Sequence, residues 1–164
     1  MKFVMRERMF SIGDDFWIED EAGQRVFLVD GKALRLRQTF ELKGPDGEIF
    51  AVIRKKMVSI RDTMLIEAEG GTVAKVHKKL FSPLRHKMEI ELADGQEWTA
   101  TGDLIEKNYR IESDQGVVAE TSRKWFRIRD TYGIDVYHPD VPLVLAVAVA
   151  VDELAEDTRH RDDD

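Results

Sequence analysis

The residues that offer chemistry by type and spacing are three basic pairs: Lys55-Lys56, Lys78-Lys79 and Arg123-Lys124. Each pair follows a similar run: Ala51-Val52-Ile53-Arg54, Ala74-Lys75-Val76-His77 and Ala119-Glu120-Thr121-Ser122. If the runs are equivalent strands, all six cations gather at one end of the fold, with Arg85 and Lys87 nearby. A ring of cations can hold phosphate groups or an anionic membrane surface. The plainer reading is that lysines end strands for solubility and to discourage edge pairing.

Other reactive groups form weaker constellations. His77 and His86 flank a loop containing Ser82-Pro83, but no third ligand stands near, so no metal or other cofactor is expected. Asp14-Asp15 could be a carboxylate pair, but a turn is the simpler reading, since adjacent strand residues face opposite ways. Trp17, Trp98 and Trp125 could stack bases, but each has apolar neighbours and reads as core or wall packing. There is no G-x-S-x-G, H-E-x-x-H, Walker loop or G-x-G-x-x-G. Without cysteine, thiolate metal sites, disulfides and a cysteine nucleophile are excluded.

A glycine interval marks the elements that must position the cations. Gly23, Gly47, Gly71 and Gly95 recur at intervals of 24 residues, and Gly116 follows after 21. Asp-Gly and Gly-Gly between alternating runs signal tight hairpins, whose turns need positive φ. Strand-like runs flank each glycine. With Val4–Phe10 and Ile134–Tyr137 they number about twelve, which points to a barrel or sandwich. Period-two alternation places Ala51, Ile53, Ala74, Val76, Ala119 and Thr121 inward, and the small members imply something bulky inside.

The bulky object is Val141–Val151, eleven residues apolar on every side. Asp140 can cap a helix there, and Pro142 is tolerated in a first turn. Alternating Val and Ala suits a strand equally well. As a helix the run would span roughly 17 Å, too short to cross a bilayer. The N-terminus, Met1-Lys2-Phe3-Val4-Met5-Arg6-Glu7-Arg8, is too charged for a secretory signal.

Net charge is −7 but uneven: residues 130–164 hold ten acids and two arginines, residues 1–129 hold 22 acids and 23 bases. The body is balanced, so no basic footprint for nucleic acid is expected. Residues 1–157 read as a single domain and 158–164 as a charged, disordered tail.

Several stretches resemble the YxjI-like, LURP-one-related proteins. They are Arg6–Phe16, Val26–Lys32, the Asp46-Gly47 hairpin with Ala51–Met57, and the closing Ala146–Asp152 run. The resemblance covers nearly the whole chain. It implies the tubby C-terminal-like superfamily, related to phospholipid scramblases: all-β with one buried helix, a twelve-stranded closed barrel around a central hydrophobic C-terminal helix. It fixes no activity, and no counterpart of the tubby lipid-binding motif is present.

The expected role is a non-enzymatic interaction module. Its basic rim of Lys55, Lys56, Lys78, Lys79, Arg123 and Lys124 would meet anionic phospholipid or a protein partner, in the cytoplasm or peripherally at a membrane. The alternative is an enzyme with a loop-built site, which a helix-filled lumen disfavours.

Overall fold

A computed structural model describes residues 1–6, 15–31, 39–56, 61–79, 87–125 and 131–162. The strands are β1 (Lys2–Arg6), β2 (Phe16–Asp20), β3 (Arg25–Gly31), β4 (Thr39–Lys43), β5 (Ile49–Lys55) and β6 (Thr63–Ala68). They continue with β7 (Gly71–Lys78), β8 (Lys87–Leu92), β9 (Glu97–Asp103), β10 (Asn108–Ser113), β11 (Gly116–Ser122) and β12 (Thr131–Val136). One helix follows, α1 (Val141–Asp162).

Each strand pairs antiparallel with its sequence neighbours, and β1 pairs with β12 to close the ring. The expected twelve-stranded barrel on a central helix is the architecture present. The turn glycines Gly23, Gly47, Gly71, Gly95 and Gly116 all have positive φ, as the tight hairpins demand. Gly102 has a different reason to be glycine. At φ +125°, a Cβ there would stand 2.7 Å from the carbonyl oxygen of Asn108.

The inward set is as the alternation reads it: Ala51, Ile53, Ala74, Val76, Ala119 and Thr121 are all buried. The object they surround is α1, whose Val144–Val151 stretch is buried throughout. Burying Val and Ala on all sides removes the advantage of one amphipathic face. Helical hydrogen bonds then satisfy the enclosed backbone without a partner strand.

Two boundaries differ from the sequence reading. β1 covers Lys2–Arg6 rather than Val4–Phe10, because pairing with β12 runs from Lys2↔Asp135 to Arg6↔Thr131; residues 7–10 lie outside those described. The helix does not stop at Val151 but runs to Asp162. Glu153, Leu154, Ala155 and Glu156 are good helix formers, so the helix continues beyond the apolar run.

The topology gives the barrel two unlike ends. Odd-numbered strands all finish at one end, where the connections are long except that between β9 and β10. The short glycine hairpins occupy the other end, where α1 begins. From there α1 runs through the barrel toward the end with the long connections, where its Asp157 meets Lys55 at the finish of β5.

Candidate functional site: a basic rim and the polar node beside it

Because β5, β7 and β11 run in the same direction, all three basic pairs stand at the long-connection end. The first two pairs share an arc, being separated only by β6. Arg123-Lys124 follows β11, four strands further around. Lys87 begins β8 at the same end, while Arg85 lies outside the described residues.

Within each pair the two members have different surroundings. The first member is partly buried and engaged. Lys55 Nζ lies 2.6 Å from Asp157 Oδ2, and Lys78 Nζ lies 3.3 Å from Asp62 Oδ2. Arg123 donates from Nε to the Glu106 carbonyl at 2.7 Å and lies 3.6 Å from the Glu106 carboxylate. The second members, Lys56, Lys79 and Lys124, are exposed and form no ion pair with a described residue.

Charge is segregated between the ends. The short links at the hairpin end, 21–24, 44–48, 69–70, 93–96, 114–115 and 137–140, hold seven acids and no lysine or arginine. In the connections at the other end, the described residues hold six lysines and arginines against three acids. By sequence alone, the remainder of those connections adds seven more bases and three acids. The links at the two ends thus carry opposite net charge, and α1 delivers acids to the basic end.

The acids of α1 build a polar node that the sequence reading did not find. Asp152 ends the apolar run of the helix and accepts hydrogen bonds from Tyr109 Oη at 3.1 Å and from Tyr132 Oη. Lys107 Nζ lies 3.6 Å from both Asp152 Oδ1 and Glu156 Oε1, and Lys107 is only 3% exposed. Neither Lys107 Nζ nor Glu156 Oε2 has a hydrogen-bond partner among the described residues. Lys107 also has φ 57°, the one positive value of a non-glycine residue among those described. Thr121 Oγ1 holds that turn by donating to the Lys107 carbonyl at 2.9 Å. Burial raises the Asp152 pKa, while Lys107 and the two tyrosines pull it down. Burial first, and the Asp152 charge second, push the Tyr109 hydroxyl well above its usual value, so it donates as a neutral phenol.

The remaining candidates have ordinary places. His77 is buried on the wall, 3.3 Å from Glu89 Oε2 and 3.9 Å from Glu91 Oε1, with Arg61 also 3.5 Å from Glu89 Oε2. His86 and Asp14 lie outside the described residues, and Asp15 accepts from the Gly31 amide at 3.0 Å. Trp98 is buried and meets His138 edge-on; Trp17 is half-buried on β2 beneath Arg25, and Trp125 is half-buried in the 3-10 turn after β11, beneath Lys2. Among the described residues no group of three His, Cys, Asp or Glu is arranged to hold a metal, and no helix is long and apolar enough to cross a membrane.

Comparison with known proteins adds a family. The model of the family described as LURP-one-related matches residues 1–152. The Bacillus subtilis (strain 168) protein YxjI, described as uncharacterized, is 28% identical over 153 residues, covering 93% of this chain and 92% of that protein. No solved structure matches.

Proposed function

The chain belongs to the LURP-one-related family, and on that premise we propose a non-enzymatic module that docks on anionic phospholipid head groups through its basic rim. The observation that carries this reading is the charge segregation: seven acids and no lysine or arginine in the links at one end, an excess of bases in those at the other. Lys56, Lys79 and Lys124 are the contacting cations, because they are exposed and unengaged by described acids. Lys55, Lys78 and Arg123 stand behind them and add to the field. At about 1 kcal/mol per basic residue near an anionic surface, binding is weak, reversible and screened by salt. The module acts peripherally from the aqueous side, and residues 1–157 carry the function. The closed barrel on a central helix also supports kinship with the tubby C-terminal-like superfamily.

An acidic protein face would offer the rim the same chemistry. A catalytic reading has a weaker basis. The cluster richest in titratable groups, around Asp152, has its lysine enclosed, and α1 fills the lumen in which a barrel would build a pocket.

The test is sedimentation with vesicles of phosphatidylserine and phosphatidylcholine at two salt concentrations. The wild-type chain is expected to pellet at low salt and to be released as salt rises. Changing the exposed Lys56, Lys79 and Lys124 to Gln abolishes pelleting without altering the melting curve, because these three hold no described acid. Wild-type protein that stays in the supernatant at low salt overturns the reading.

A further inference from the structure

We propose that the acidic C-terminal part of α1 competes, within the molecule, with the anionic partner for the rim, so that Asp157 restrains binding. This rests on the rim being a docking surface. Along α1, Val144–Val151 carries no charge, and then Asp152, Glu153, Glu156 and Asp157 fall within six residues. The helix runs from the acidic end of the barrel to the basic one, so these acids arrive where the cations are. They meet the cations in two ways. Asp152 and Glu156 face Lys107, which is enclosed and out of reach of a flat surface. Asp157 instead takes Lys55, with Nζ–Oδ2 at 2.6 Å and side chains 27% and 17% exposed.

The exposure of that outer pair makes it exchangeable. A partly hydrated ion pair is weak, comparable with what one lysine gains at an anionic surface. An arriving phosphate can therefore replace the Asp157 carboxylate on Lys55, but must do so against it. Lys55 adjoins the exposed Lys56 and shares an arc with Lys78-Lys79, so Asp157 stands within the densest part of the rim. Removing its charge frees one cation and deletes one local repulsion.

The experiment compares full-length wild type with Asp157→Asn, and with Asp114→Asn as a control that changes net charge equally at the hairpin end. Vesicles containing phosphatidylserine are the probe. Acetylation of the Lys55 amine by acetic anhydride, followed by mass spectrometry without vesicles, is the second measurement. Asp157→Asn is expected to bind three- to five-fold more tightly, roughly the factor carried by one surface charge. Asp114→Asn behaves as wild type, and Lys55 is acetylated faster in Asp157→Asn alone. If wild type binds and Asp157→Asn binds no better, the competition is overturned and the docking reading stands. An equal gain in Asp114→Asn reduces the effect to net charge and also overturns it. If no variant binds, the docking reading and the competition fall together.

Discussion

Lys107 and Asp152 join a wall turn to the central helix: Nζ of the first lies 3.6 Å from Oδ1 of the second, inside the barrel mouth. Both groups sit where charge is costly to hold, and the turn bearing Lys107 adopts a left-handed backbone that non-glycine residues avoid. Tyr109 from β10 and Tyr132 from β12 donate to the same carboxylate. The node therefore ties three places on the wall to one turn of α1, fixing how far the helix is inserted.

Replacing Lys107 with Met should leave Asp152 and Glu156 facing one another without a buried cation. A loss of about 3–5 kcal/mol is expected, the usual cost of breaking a buried pair from one side. Adding Asp152→Asn should recover part of it. Urea unfolding of the single and double variants checks this, and a single variant as stable as wild type would show that the node does not hold the helix.

The two perturbed carboxyls should give opposite pH slopes. Burial holds the Asp152 pKa above its usual 3.8, so the folded chain binds that proton more tightly than the unfolded chain. Its contribution favours the fold below 3.8 and is lost as pH rises through the raised value. Glu67 is the reverse. Its hydrogen bond from Arg54 holds it below its usual 4.5, so its contribution is full above 4.5 and is lost as pH falls through the lowered value. Relative to Asp152→Asn, wild type should lose stability from pH 3 to pH 7; relative to Glu67→Gln, it should gain. A gain in the first comparison would mean that Lys107 outweighs burial.

Val147 lies at the centre of the apolar run and is fully buried. Val147→Asp would place a carboxylate among Val and Ala with no cation at that level of the helix, and should destabilise by more than about 3 kcal/mol. A sharp thermal transition near that of wild type would remove α1 from the barrel interior.

The wall was legible because period-two alternation and the glycine interval are local signals. Gly47 and Gly95 sit in Asp-Gly turns, and each turn aligns strands whose inward residues are already apolar. The helix was less legible. Val144–Val151 suits either state by pattern, and what decides is enclosure by twelve strands, a property of the whole ring. Its continuation past Val151 was hidden because the apolar pattern ends there, while the helix goes on through charged residues. Lys107 carried no signal in Leu104-Ile105-Glu106-Lys107, because the two acids that neutralise it are some fifty residues away. A clue did exist at Asp152, an acid closing a run too apolar to be exposed, together with Tyr109 and Tyr132 in wall strands. The common end of the rim cations followed from strand direction. Their split into engaged and exposed members did not, because Asp62, Glu106 and Asp157 reach them across turns and through space.

Closure of the ring between its first and last strands also dictates an order of assembly. Lys2 must find Asp135 across nearly the whole chain, and the filling, α1, is made only after that last strand. A growing chain that has completed β11 holds eleven strands with inward alanines facing nothing and two open edges. Contacts this distant in sequence make folding slow, and unsealed edges invite pairing with other chains. The strands can therefore bury their inward faces fully only once Val144–Ala155 is in place among them.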